Sequence, residues 1–205
     1  MPQQQRYRSN ISVIPDGGRE ESFTIQWPQD RIQPLGADSS GLLVSAGGAA
    51  ILRANDRVGA SAEVFRLRDM AGNVIGLASR STSLRSARDG TPGQGTDWIL
   101  LVPSRGALFM TQINSRDVEP RPRGENGKGG KFVPAPDGPG FWAEGTRLRI
   151  TGGPAPGGAG QVLGGTEELA DMQGTYEENW ELQEVAADGS TLGRITLVTR
   201  VEAGQ

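Results

Sequence analysis

Gly174-Thr-Tyr-Glu-Glu-Asn-Trp-Glu-Leu-Gln-Glu-Val185 decides the fold class. Its odd positions, Thr175, Glu177, Asn179, Glu181 and Gln183, are polar throughout, whereas Tyr176, Trp180 and Leu182 at even positions are large and mostly apolar. Successive side chains of a β-strand point to opposite sides, so this period of two predicts a strand with its odd set in water and its even set, Glu178 included, facing a core.

The same pattern recurs on either side, at residues 22–27, 59–67, 74–81, 98–102, 107–114, 147–151 and 193–201, each run bounded by Gly, Pro, Asn or Asp. No window of a dozen residues holds apolar positions at helical spacing without a Gly or Pro break. Eight such strands predict an all-β sandwich or barrel. Two hairpins follow from turn chemistry, one through Asp69 and Gly72 and one through Asp188 and Gly189, because the glycines supply the positive φ that tight turns require.

Composition sets the limits. The 205 residues suffice for one large domain or two small ones. Histidine and cysteine are both absent, which excludes a Ser-His-Asp triad, a thiolate nucleophile, a thiolate iron–sulfur cluster, His-ligated zinc or haem, and any disulfide. Gly 31 and Pro 13 together stay below the roughly 25–30% that marks low complexity, so the chain is expected to fold with many turns. A net charge of −3 leaves no basic footprint for nucleic acid. The weakly apolar stretch at 41–52 is broken by Ser45, Gly47 and Gly48, well short of the ~20 residues of a bilayer helix, and the polar start at 1–10 predicts a cytoplasmic protein without a leader.

Charge is unevenly spread. Residues 167–193 hold eight acids and no Lys or Arg, whereas Arg66, Arg68, Arg80, Arg85 and Arg88 crowd the first hairpin; the two groups either pair across a closed sheet or form separate solvated faces. Residues 116–140 are too rich in Pro, Gly and charge for a strand and read as one long loop, a lid carrying Phe132 and ending at Phe141 and Trp142 or an unstructured insertion. Residues 1–45 read as an N-terminal extension with one strand, lying across the barrel mouth or outside it, and 46–205 as the barrel domain.

The stretch Leu148-Arg-Ile-Thr-Gly-Gly-Pro-Ala-Pro-Gly-Gly-Ala-Gly-Gln-Val162 resembles the signature of allene oxide cyclases and their dirigent-like relatives, in which a strand ends in Thr-Gly-Gly, a glycine loop follows, and the chain re-enters the sheet. Asp56-Arg-Val-Gly-Ala-Ser-Ala-Glu-Val-Phe65 resembles the family's strand opening on Arg-Val-Gly, and the hairpin through Asp69 and Gly76 has a matching place. The likeness covers roughly residues 50–205, in order. It implies an eight-stranded antiparallel barrel with a lipocalin-like apolar lumen, assembled as a homodimer or homotrimer and working without a cofactor. Within the superfamily the chain is most similar in kind to bacterial spirotetronate cyclases of polyketide pathways, which fold a linear polyene for an intramolecular (4+2) cycloaddition. The Asn-Glu pair of plant allene oxide cyclases has its nearest counterpart in Ile25-Gln-Trp-Pro-Gln-Asp-Arg31, where the Glu is missing, so allene oxide cyclisation itself is not expected.

Inside such a barrel the lumen-facing sets carry the chemistry. Tyr176, Glu178, Trp180 and Leu182 face inward on one strand; Ser61, Glu63, Phe65 and Leu67 are chosen on another, although Ala60, Ala62 and Val64 are also apolar. Glu178 and Glu63 are candidate catalytic acids, since an apolar cavity favours the protonated carboxyl, which can donate to a dienophile carbonyl. A rim carboxylate paired with Arg is the alternative for each. Gln112, with Asn114, could orient a carbonyl without titrating or could serve the backbone. Trp27, Trp98, Trp142, Trp180, Phe65, Phe109 and Met110, with Tyr176, are candidate walls against which a polyene is held, or else ordinary core. The function expected is a cofactor-independent cyclase acting on a hydrophobic small molecule, with no metal; the alternatives are a non-catalytic binding barrel and a dirigent-like protein steering a coupling.

Overall fold

The computed structural model describes residues 12–13, 18–37, 42–44, 50–53, 61–86, 92–115, 132–134, 141–143, 147–185 and 191–201. The main strands are β1 (Arg19–Trp27), β2 (Arg31–Ala37), β3 (Ser61–Arg68), β4 (Val74–Ser86), β5 (Pro92–Val102), β6 (Gly106–Asn114), β7 (Arg147–Arg149), β8 (Thr151–Gly153), β9 (Gly160–Gly165), β10 (Gly174–Val185) and β11 (Thr191–Val201). They close an antiparallel barrel in the order β1–β11–β10–β9–β6–β5–β4–β3, the ring being completed where β1 meets β3 at Thr24 opposite Arg68. This is the eight-stranded antiparallel barrel that the resemblance implies, one of the two architectures that the strand pattern predicts, and the described residues of all eight predicted segments lie in its wall. Among the described residues the helical elements are two three-residue 3₁₀ turns, Pro156–Gly158 and Glu167–Leu169, and no helix is long and apolar enough to cross a membrane.

One wall position is shared. β7 pairs with β10, β8 with β6, and β9 with both, so the chain from 147 to 165 runs along a single slot that is interrupted between Gly153 and Gly160, where it steps out and Ala155 bridges Ala159. The interruption falls on the glycine loop that carries the resemblance.

The strand assigned to the N-terminal extension belongs to the barrel, which moves the boundary drawn at residue 45. β1 pairs with β11 from Arg19 opposite Val201 to Trp27 opposite Gly193. Its inner face holds Glu21, Phe23 and Ile25, all buried, and without it the sheet would keep two open edges. After a turn the chain continues as β2 along β3. Asp30 fixes that turn by accepting from the Gln26 N–H at 2.8 Å and, in a two-point pair, from Arg68 Nε and Nη2 at 2.7 Å each.

The first hairpin forms as its turn chemistry predicts. Asp69 accepts from the Asn73 N–H at 2.8 Å, and Gly72 takes φ of 86°. Asp188 and Gly189 lie outside the described residues, although β10 and β11 pair as a hairpin requires. Most of the predicted loop at 116–140 is also outside them. The exception is Phe132–Pro134, which pairs with Phe141–Ala143 and departs from the expectation of an unbroken loop: Phe132 and Val133 bring the β-propensity that the surrounding Gly and Pro lack.

The lumen is filled in two zones. Phe23, Ile25, Leu67, Leu100, Val102, Leu108, Val162 and Leu197 form an apolar zone toward one end. Leu169, on the turn Glu167–Leu169, closes that end together with an ion pair between Arg105 Nη1 and Glu21 at 2.6 Å, whose side chains are 4% and 2% exposed. The other zone, toward Gln94, Asn114 and Glu63, is polar and aromatic. On the outside, Glu181 accepts from Arg147 and Arg194 and Glu177 from Arg200, giving the β7–β10–β11 flank a charge ladder. The hydrogen bond from Arg147 leads in holding the Glu181 carboxyl below its usual range.

Candidate functional site

Alternation on four strands brings the polar zone together. β10 presents Tyr176, Glu178 and Trp180 inward, as Thr175–Gln183 predicted, β5 presents Thr96 and Trp98, β6 presents Met110, Gln112 and Asn114, and β4 presents Arg80 and Thr82. Glu178 is fully buried at the centre. One of its oxygens, Oε2, accepts from Trp98 Nε1 and from Gln112 Nε2, both at 2.8 Å. The other, Oε1, accepts from Trp180 Nε1 at 2.5 Å and lies 3.7 Å from Arg80 Nε.

Arg80 sits between the two indoles, its guanidinium carbon 5.1 Å from the Trp180 ring centroid and 5.9 Å from that of Trp98. This is the geometry in which a cation gains from the negative faces of both rings. Its Nη1 is 3.6 Å from Glu63, which also meets Arg31 at 3.4 Å. Charges therefore alternate inward from the rim, Arg31, Glu63, Arg80, Glu178. Beside them Gln112 Nε2 and Thr96 Oγ1 both donate to Asn114 Oδ1 at 2.9 Å.

The four groups identified around Glu178 are all donors, the set that an ionised carboxylate takes. Glu178 thus accepts from two tryptophans and a glutamine beside the cation of Arg80, in place of the purely apolar setting expected for it. Glu63 likewise follows its alternative, a carboxylate near the rim paired with Arg.

Tyr176 offers what Glu178 does not. Its hydroxyl is buried and has no hydrogen-bond partner among the described residues, and Gln112 Oε1 is unpartnered in the same sense. Burial, reinforced by the negative charge of Glu178 and then of Asp97, pushes the Tyr176 hydroxyl well above the ordinary tyrosine value of about 10. It remains a donor throughout the physiological range.

The ring position depends on Gly160, directly opposite on β9. A Cβ there would lie 2.3 Å from Tyr176 Cε1. Gly160→Ala is expected to cost about 1–3 kcal/mol through overpacking and to lower the thermal midpoint by several degrees. A melting curve superimposable on that of the native protein would show that the ring yields freely.

The remaining predicted residues divide. Phe65 is buried with its ring 6.1 Å from Trp98, and Met110 is buried in the adjoining core. Trp27 packs against the core from the end of β1. Phe109 does not belong to the site: neighbouring residues of a strand cannot both face inward, Met110 takes the lumen, and Phe109 is 37% exposed on the outer wall. Trp142 lies on the short strand opposite Val133, and its side chain is outside the described residues.

Sequence reasoning missed Arg80, because Gly76, Ala78, Arg80 and Thr82 on β4 show no apolar alternation. The signal was in the hairpin. From the turn at Asp69–Asn73 the pairing runs Arg68 opposite Val74, shifts by one residue before Leu67 opposite Gly76, and so sets Arg80 opposite Glu63.

Two hollows open on the outer wall, one of about 640 Å³ beside Pro154, Pro156 and Leu163 and one of about 400 Å³ beside Arg147, Arg149 and Arg194; neither is lined by Glu178, Trp98 or Gln112. Among the described residues no group of three or more acidic side chains converges as metal ligands do. Comparison of the chain with protein families, with curated proteins and with solved structures returns no match.

Proposed function

We propose that the chain is a cofactor-independent cyclase of polyketide-type natural-product biosynthesis, cytoplasmic and self-associating, that folds a hydrophobic linear polyene in the barrel for an intramolecular (4+2) cyclisation. The reaction forms two carbon–carbon bonds at the expense of two π bonds and neither gains nor loses an atom, so it needs no redox partner. The observation that carries this reading is the Tyr176 hydroxyl, buried and without a partner among the described residues, in the same core as Trp98, Trp180 and Phe65. Such a donor lowers the barrier by hydrogen bonding to a carbonyl conjugated with the reacting alkene. The aromatic wall holds the chain folded, and orientation of this kind supplies up to roughly 7–11 kcal/mol in favourable intramolecular systems.

The carboxylate of Glu178 acts indirectly, by keeping both indoles and Arg80 in one arrangement. The substrate enters from the end where Gln94 and Asn114 lie, because Leu169 and the Arg105–Glu21 pair plug the other.

The test is to incubate the purified protein, without added cofactor or metal, with a linear polyene bearing a diene and a carbonyl-activated alkene, and to follow products by chiral chromatography and mass spectrometry. One stereoisomer of unchanged mass, formed faster than in buffer, is expected. Saturable binding with no change in rate would assign the barrel to carriage of the molecule instead, and product formed only when an oxidase is added would assign it to steering a coupling.

A further inference from the structure

Two buried atoms in the lumen lack a partner among the described residues, and they are of opposite kind. Tyr176 Oη is a donor and Gln112 Oε1 an acceptor. The amide of Gln112 cannot exchange its two ends. Both hydrogens of its Nε2 are taken, one by Glu178 Oε2 at 2.8 Å and one by Asn114 Oδ1 at 2.9 Å, and a turned amide would set its oxygen against the carboxylate. Oε1 therefore stays an acceptor.

Register brings the two residues into one row. Gly160 stands opposite Tyr176 and Gln161 opposite Thr111, so that Gly160, one residue back, falls in line with Gln112. Across β10, β9 and β6 the row runs Tyr176, Gly160, Gln112, with no side chain at its middle position. The tyrosine ring leans over that position: a Cβ on Gly160 would lie 2.8 Å from Cζ, the carbon that bears the hydroxyl. The hydroxyl is thereby carried from β10 toward the strand of Gln112.

We propose that the group recognised here is a neutral amide of the kind that a primary carboxamide or a lactam presents, its carbonyl accepting from Tyr176 and its N–H donating to Gln112 Oε1. The inference rests on the reading of the lumen as the ligand site and narrows the substrate from any activated carbonyl to one with a donor on the adjoining atom. Two features select the amide. Both protein atoms belong to one stretch of wall, so the ligand must offer acceptor and donor along one edge, which a primary amide or a lactam does and an ester, a ketone or an N-alkylated amide does not. A carboxylic acid or an acidic enol offers the pair only while protonated, and the carboxylate of Glu178, two residues from Tyr176 on the same face, opposes a second negative charge. A buried acceptor left without its donor is costly, so such a site discriminates against an isostere that lacks the N–H.

The test compares three polyenes that carry the same diene and differ at the unsaturated end: a six-membered lactam, its N-methyl derivative and the lactone isostere. Binding to the native chain is read from quenching of tryptophan fluorescence, and cyclisation separately from a product of unchanged mass. The lactam is expected to bind on the order of 10- to 100-fold more tightly than either of the others. Gln112→Met, with folding checked by circular dichroism, should abolish the preference, whereas Tyr176→Phe should weaken lactam and lactone by the same factor; the ligand series decides even where the Gln112 variant fails to fold. Equal affinities would overturn the amide assignment and leave the cyclase reading to stand or fall on the product. A preference for the lactam with no product from any of the three would uphold the amide and overturn the cyclase. Absence of binding by all three would overturn both, and a crystal structure of the lactam complex with a water still bridging Tyr176 Oη and Gln112 Oε1 would overturn the amide alone.

Discussion

Replacing Glu178 with alanine is expected to remove about 3–5 kcal/mol of stability, the range found when one member of a buried ion pair is deleted. The substitution removes the carboxylate 3.7 Å from the buried Arg80, and it takes an acceptor from the N–H groups of Trp98, Trp180 and Gln112. A buried donor without a partner is costly in itself. At roughly 2–4 °C per kcal/mol for a chain of this size, the thermal midpoint should fall by on the order of 10 °C. Glu178→Gln tests the charge separately. The amide keeps one acceptor oxygen but turns an NH₂ toward a donor and no longer balances the arginine, so it too should be destabilising.

The decisive comparison is Arg80→Leu combined with Glu178→Leu, which removes both charges at once. It should cost less than the sum of the single changes, because neither charge is then stranded. Additive costs in urea titrations would mean that the 3.7 Å approach of Arg80 to Glu178 carries no coupling, and the picture of a carboxylate holding the two indoles and the cation as one unit would fall.

The contrast between Glu178 and Arg80 shows how much of the molecule the sequence discloses. Glu178 was legible because its strand alternates cleanly for nine residues, and burial of an acid between Tyr176 and Trp180 is forced by that alternation. Its role was not legible. A single carboxylate in an apolar setting reads as a protonated acid, and only the fold reveals that donors from β5, β6 and β4, between 66 and 98 residues away in sequence, converge on it. Phe109 failed for the opposite reason: it was judged by residue type next to Met110, when the period of two allows only one of them inside. The first strand was legible as a strand and misassigned as an extension, since its partner β11 lies at the far end of the chain and pairing over that separation leaves no local mark. The charge clusters were visible too, yet the acids of β10 find arginines on β7 and β11, and Glu178 with Arg80 is the pairing that joins the two predicted groups.

Tyr176→Phe is expected to separate stability from activity. Deleting the hydroxyl removes a buried polar atom that has no partner among the described residues, so the variant should be as stable as the native protein or up to about 1–3 kcal/mol more stable. If that hydroxyl donates to the substrate carbonyl, turnover should meanwhile fall by about 10²-fold, the loss typical of removing one preorganised donor. Because deletion of a structural hydrogen bond lowers stability and activity together, a rise in one with a fall in the other points to a group kept unsatisfied for a ligand.

The same residue predicts an alkaline limit. Burial raises the folded-state value of Tyr176 above the unfolded value of about 10, so its neutral form is favoured in the folded chain. The stability it contributes is fully present below pH 10 and is lost as pH rises beyond that toward the folded value, because the unfolded chain then releases a proton that the folded chain retains. Melting curves recorded upward from pH 9 should therefore decline more steeply for the native protein than for Tyr176→Phe, while the rate of the proposed cyclisation stays level up to about pH 10. Parallel declines would place the Tyr176 hydroxyl in contact with water, and a rate that is unchanged in the phenylalanine variant would remove it from the reaction.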